Sequence, residues 1–185
     1  MSIQMRGGNQ LIDAVKSLQK GGIRQDMIIA DLGCGTTGHF VFPAAHLVGP
    51  QGKIYAVDIL TSVLESIESR RKIEGVNNVE TLRADLEKAG TLKITNQSVD
   101  LAILTNILSQ VQSKDVLLNE TARITKTSGT LLITDWKTTQ IPFGPPTEKR
   151  LNPTQVKQLA QNAGFEFVEE FEPGPYHFGM VFLKK

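Results

Sequence analysis

Residues 30–40 read ADLGCGTTGHF. Glycines stand at 33, 35 and 38, directly behind the apolar run DMIIADL of residues 26–32. G-x-G-x-x-G after a strand is the spacing of a nucleotide-binding turn. The first glycine permits a sharp turn off the strand. The second lets a ligand approach the backbone, and the helix that follows offers free N–H groups. The same spacing also serves a plain tight turn between strand and helix, so the neighbouring elements must decide.

Those elements alternate. Asn9 to Lys20 reads as a helix stopped by Gly21 and Gly22, because Leu11, Ile12, Val15 and Leu18 share a face. Phe40 to Val48 reads as a helix with Pro43 in its first turn, KIYAVDI (53–59) as a strand, and Ser62 to Glu74 as a helix closed by Gly75. VETLRAD (79–85) and VDLAILT (99–105) are further strands, the second apolar enough for a buried parallel position. Val116 to Ile124 is helical and GTLLITDW (129–136) is a fifth strand. A polar, proline-rich loop covers 137–152, a helix covers 153–162, and FEFVEEFE (165–172) and HFGMVFLKK (177–185) are the last strands. The pattern predicts a Rossmann-like, doubly wound α/β fold: a seven-stranded, mostly parallel sheet with helices on both faces. PGPY is too short for a crossover helix, so the C-terminal strand must run antiparallel.

The 185 residues suit one domain, 1–185, with residues 1–22 as an N-terminal helical segment and the 137–152 loop near the substrate edge. Hydrophobic residues are 40%, charged residues 21% and the net charge is +1, which argues against a dedicated nucleic-acid binder. Cys34 is the one cysteine, so neither an intrachain disulfide nor a cysteine-rich zinc site is expected. No run approaches the roughly 20 apolar residues of a membrane span, and no signal peptide is read at the N-terminus; the expected location is cytoplasmic.

Asp58 closes the second strand, 20 residues past Gly38. A carboxylate there can accept both hydroxyls of a ribose. Asp31 stands two residues before Gly33, where it would repel a pyrophosphate and attract an ammonium or a sulfonium. Together with the antiparallel C-terminal strand, this disfavours a dinucleotide.

In these residues the chain resembles the class I S-adenosylmethionine-dependent methyltransferases, from about residue 8 to its end. ADLGCGTTG resembles the family's first motif, IYAVDI the ribose-binding strand, LRADLEKAG (82–90) the adenine-contacting segment, SVDLAILTNIL (98–108) the fourth motif and SGTLLITDW (128–136) the fifth strand. Residues 144–185 are similar to the tail of small stand-alone bacterial and archaeal members, near the ubiquinone/menaquinone C-methyltransferases. The resemblance implies S-adenosylmethionine as cofactor and S-adenosylhomocysteine as product. It implies that Asp31 meets the methionine ammonium, and that Gly33, Cys34 and Gly35 surround the methionyl and ribose parts. Asp58 would take the ribose and Ile59 would pack on adenine. Asp85 and the Leu86 N–H would bond the adenine edge, while Thr105 and Asn106 would close the methionyl end. Asp85 also suits a cap of a helical turn, Thr105 and Asn106 suit a strand-end loop, and Cys34 suits a small turn residue rather than a nucleophile.

Catalytic residues are not marked. The Asn/Asp-Pro-Pro-aromatic motif of amino-group methylation is replaced by TNIL (105–108), arsenic-type methylation uses several cysteines, and no metal is expected. His39, His46 and His177 have no ligand spacing. Trp136, Tyr176 and His177 are the candidates on the acceptor side, with Tyr176 and His177 as weak candidates for catalysis. The expected partner is a small-molecule acceptor. The competing readings are an NAD(P)-dependent oxidoreductase, for which no Tyr-x-x-x-Lys pattern is found, and a protein that binds S-adenosylmethionine or S-adenosylhomocysteine without catalysis.

Overall fold

A computed structural model describes residues 11–141 and 143–185. The strands are β1 (Ile28–Leu32), β2 (Lys53–Asp58), β3 (Val79–Arg83), β4 (Val99–Thr105), β5 (Thr125–Trp136), β6 (Phe165–Gly174) and β7 (His177–Lys184). The helices are α1 (Ala14–Lys20), α2 (Val41–Val48), α3 (Thr61–Glu74), α4 (Lys114–Ile124) and α5 (Pro153–Asn162), with a 3-10 turn at Thr147–Lys149.

The seven strands form one sheet in the order β3-β2-β1-β4-β5-β7-β6. β1 to β5 pair in parallel, while β7 runs antiparallel to both β5 and β6. β6 therefore points the same way as β5, and the β6–β7 turn lies at the carboxyl edge of the parallel strands. Side chains alternate across the sheet. Ile29, Ile54, Leu101, Ile103 and Leu132 meet α1, α2 and α3 on one face. Ala30, Leu32, Leu104, Leu131 and Ile133 meet α4 and α5 on the other. The doubly wound reading holds.

Element boundaries differ where a side chain or a bulge intervenes. α1 starts at Ala14, because the Asp13 carboxylate accepts from Lys16 N at 2.9 Å and caps the helix. The first two residues of the expected helix, Asn9 and Gln10, lie outside the described residues. β5 begins at Thr125, four residues earlier than its sequence suggests. The polar residues 125–128 separate the expected helix from the expected strand, but the chain enters the sheet at once and absorbs the excess in a register shift opposite Val99–Leu101, with Ser128 at φ +62°. α5 follows its signals closely: Asn152 and Gln155 form a reciprocal capping box, and Pro153 opens the first turn.

Candidate cofactor and acceptor site

The three glycines have three different physical reasons. Gly33 turns the chain off β1 at φ +86°, and its N–H bonds Val57 O at 2.8 Å. Gly35 has φ +65°, and a Cβ there would meet nothing within 4 Å, so its backbone is bare toward the space above the sheet. Gly38, at φ +55°, is a packing glycine: a Cβ would stand 2.7 Å from Ile67 Cδ1 and 2.8 Å from the Phe42 ring. The turn is thus shaped for close backbone approach in its middle and for tight helix packing at its end.

Beside this turn lies a cleft of about 310 Å³, at the lower end of ligand-pocket volumes. Gly33, Gly35, Asp58, Ile59, Asp85 and Leu86 all line it. Asp58 sits at the end of β2, where its carboxylate accepts from Leu60 N at 3.0 Å and from Gly35 N at 3.3 Å. Asp85 caps a turn: it accepts from Glu87 N at 3.1 Å and pairs with Lys88 Nζ at 3.0 Å. The Lys88 ammonium, followed by the Glu87 N–H, holds the Asp85 carboxyl below its ordinary pKa. Its capping role and its place in the cleft coexist.

Asp31, Cys34, Thr105 and Asn106 stand outside this lining. Asp31 is 2% exposed on the α1–α3 face of β1. Its carboxyl has no hydrogen-bond partner among the described residues. Burial, followed by repulsion from Asp58, raises its pKa to about 7. Cys34 is buried, its N–H bonds Val57 O at 3.0 Å, and burial pushes the thiol well above its usual range, which suits a turn residue and not a nucleophile. Thr105 Oγ1 accepts from Thr134 Oγ1 at 2.9 Å. Asn106 turns the chain off β4 at φ +55°, and its buried Oδ1 has no hydrogen-bond partner among the described residues. Sequence reasoning missed Ile107, Gln110 and Val111, which close the cleft from the loop after β4. No motif marks them; their signal is only that this loop must cross the carboxyl edge beside the glycine turn.

The other half of the carboxyl edge belongs to β5 and β7. Trp136 pairs in register with His177, and their rings lie 4.1 Å apart. His177 is fully buried, and neither ring nitrogen has a hydrogen-bond partner among the described residues. The Leu11 carbonyl lies nearby without reaching hydrogen-bond geometry. Burial, the largest cause, lowers the His177 pKa to about 4, and Arg150 and Lys137 add to the effect. Tyr176 is half-buried and meets the Phe143 ring edge-on at 4.9 Å. Asp135, on the opposite face of β5, is 1% exposed; burial raises its pKa to about 6, although its Oδ1 accepts from Trp136 N at 2.7 Å. His39 Nε2 lies 2.9 Å from Ile12 O and His46 Nδ1 2.7 Å from Phe42 O, so each histidine is engaged locally. No group of three or more His, Cys, Asp or Glu side chains gathers to hold a metal among the described residues.

A sheet of this order, with an inserted antiparallel β7 and a glycine turn feeding a ribose-type carboxylate, defines the class I S-adenosylmethionine-dependent methyltransferase fold. Residues 23–171 match the family described as a methyltransferase domain, and the chain belongs to that family. A ubiquinone/menaquinone biosynthesis C-methyltransferase of Francisella tularensis is 30% identical over 129 residues, 69% of this chain and 50% of that protein. An arsenite methyltransferase of Halobacterium salinarum is 28% identical over 154 residues, 76% of this chain and 38% of that protein. This chain therefore spans about half or less of the length of the curated relatives it matches. The crystal structure of a SAM-dependent methyltransferase from Aquifex aeolicus superposes with a TM-score of 0.87 at 26% identity, covering 95% of this chain and 92% of that one.

Proposed function

We propose that this chain moves a methyl group from S-adenosylmethionine to a small-molecule acceptor. The observation that carries the reading is the Asp31 carboxyl, buried with no hydrogen-bond partner among the described residues, beneath a glycine turn whose backbone is bare at Gly35. A buried acid left unpaired is costly unless a cation completes it. An ammonium or sulfonium does so, whereas the pyrophosphate of NAD(P) would add repulsion. The donor set fits the cofactor in its other parts as well: Asp58 presents a carboxylate for ribose hydroxyls, Ile59, Val63 and Val111 offer apolar walls for a flat base, and Asp85 with the Leu86 N–H faces the base edge. Gly33, Cys34 and Gly35 would pass along the methionyl and ribose parts, and Thr105 with Asn106 would close the methionyl end.

Bound S-adenosylmethionine supplies a methyl group on sulfonium, ready for in-line displacement with a neutral thioether as leaving group. The protein's own work is then to hold and aim. Asp31 fixes the cationic end, Asp58 fixes the sugar, and the loop of Ile107 to Val111 shuts out water over the cleft. Positioning of this kind supplies several kcal/mol of a displacement barrier without a strong base. Tyr176 and His177 stand on the acceptor side, where a phenol and a neutral imidazole suit an uncharged nucleophile. The single, buried Cys34 speaks against arsenic chemistry that relies on several thiols and fits a reducing, cytoplasmic location. Residues 1–185 are proposed to act as one domain.

Calorimetry with S-adenosylmethionine, S-adenosylhomocysteine and NAD tests the cofactor, and the expected order is tight binding of the first two and none of NAD. A radiolabelled-methyl screen over small molecules, proteins and RNA tests the transfer. Binding without transfer to any class would identify a non-catalytic binder.

A further inference from the structure

Arg150 is 6% exposed, and no carboxylate lies within ion-pair distance among the described residues. It donates instead to four backbone carbonyls: Nε to Pro145 O at 2.8 Å, Nη1 to Lys137 O at 3.1 Å and Thr139 O at 3.0 Å, and Nη2 to Phe143 O at 3.0 Å. These acceptors span the loop that follows β5. The loop in turn lies on Trp136. A Cβ at Gly144, where φ is +84°, would stand 3.2 Å from the indole, and Phe143 meets it edge-on at 6.1 Å. The guanidinium carbon lies 5.7 Å from the indole ring, and His177 packs on it at 4.1 Å.

A planar fork with five N–H groups can gather several divergent carbonyls at once; a lysine ammonium is a point donor and cannot. A loop of this length carries many backbone groups and little apolar surface of its own, so its shape needs such a hub. The cleft of the glycine turn occupies the carboxyl ends of β1, β2 and β3. With the loop after β4 also lining that cleft, the end of β5 and the start of β7 are what remain for a second ligand, and Trp136 is the residue at that end of β5.

We propose that Arg150 is a positioning residue: it folds residues 137–141 and 143–149 into a fixed wall against Trp136, on the acceptor side of the site. The word acceptor rests on the methyltransferase reading; the wall does not. Trp136 is the chain's one tryptophan, so its emission reports the wall directly. The experiment compares wild type with Arg150→Lys, which keeps the charge and loses the fork. Acrylamide quenching of Trp136 should rise, its emission should shift toward that of a solvated indole, and trypsin should cut at Lys137 or Lys149 roughly tenfold faster. S-adenosylhomocysteine affinity, measured by calorimetry, should stay within about twofold, since no cleft residue is touched. Gly144→Ala, which disturbs the same stack in an exposed loop, should give the same spectral change with Arg150 intact. Wild-type quenching and cleavage in both variants would overturn the proposal. So would a loss of S-adenosylhomocysteine binding in step with the spectral change, because Arg150 would then support the whole domain. Failure of the wild-type protein to bind S-adenosylhomocysteine would defeat the methyltransferase reading and leave the Trp136 readout to judge the wall alone.

Discussion

At residue 31 a carboxyl group is held out of water with its proton favoured to about pH 7. A cationic ligand needs it ionised, so binding below pH 7 must release that proton. Affinity for S-adenosylmethionine is expected to rise with pH between about 5.5 and 7, by at most about tenfold per pH unit, and to level off above. Asp31→Asn should weaken binding and flatten this slope while leaving adenosine binding nearly intact. Calorimetry in buffers of different ionisation enthalpy counts the proton. Equal weakening of adenosine would mean that the change is structural. Asp58 carries a different load, with its carboxylate already bonded to Leu60 N and Gly35 N. Asp58→Ala should weaken S-adenosylhomocysteine roughly 10- to 150-fold, the equivalent of about 1.5–3 kcal/mol. An unchanged dissociation constant would remove Asp58 from the site. The places of both carboxylates at the carboxyl ends of β1 and β2 were legible in the sequence, because each stands at a fixed offset from the glycines. The burial of His177 was not legible: a histidine opening a strand directly after PGPY carries no mark of it, and only the pairing of β7 with β5 places it under Trp136.

At the scale of elements, the join of β1 to α2 sets the cleft. Gly38 has no room for a methyl group against Ile67 and Phe42, and its φ of +55° disfavours any side chain. Gly38→Ala is therefore expected to destabilise the domain by about 1–3 kcal/mol in chemical denaturation. Cofactor affinity should fall with it, since the turn must shift to release the clash. Stability equal to wild type would show that the turn yields freely. Elements with strong local signals were read well from sequence: α5 with its capping box, and β4 with its apolar run. Those governed by distant partners were not. The TKTSG stretch of β5 becomes strand where Thr125 aligns with Val99 of β4, and local composition carries no trace of that.

For the molecule as a whole, three buried groups set the pH response of the ligand-free state. Asp31 and Asp135, with pKa values raised to about 7 and about 6, keep protons that the unfolded chain gives up near 4. Their contribution is present at acid pH and is lost as pH rises through those values. His177, lowered to about 4, acts in the opposite sense: the unfolded chain takes up its proton below about 6.5, so its contribution grows as pH rises from 4 toward 6.5. Two protons against one leave the folded state richer by about one proton between pH 4.5 and 6. Stability should then fall with rising pH by about 1.4 kcal/mol per unit, and continue to fall to about pH 7 through Asp31 alone. Thermal melting across pH 5 to 7.5 checks this, and Asp31→Asn should reduce the slope. A melting temperature that rises over the same range would contradict the assignment of buried protons. Saturating S-adenosylmethionine should offset the decline, because it binds the ionised form.

The pairing of β1 with β4 has a further consequence. β1, β2 and β3 are joined to each other by short crossovers, as a unit that can assemble early. In the sheet, the other strands join that unit where Ile29, Ala30 and Asp31 align with Leu101, Ala102 and Ile103, a contact reinforced by Ile28 N on Asp100 Oδ2 across 72 residues of chain. Closing so long a loop is slow relative to local pairing. This seam is also where strand order reverses, directly under the glycine turn. A ligand seated there spans two folding units, so its binding energy is applied to the joint between them. Amide exchange along β1 and β4 should accordingly slow together when the site fills, and partial opening along this line is the motion by which the two units would come apart.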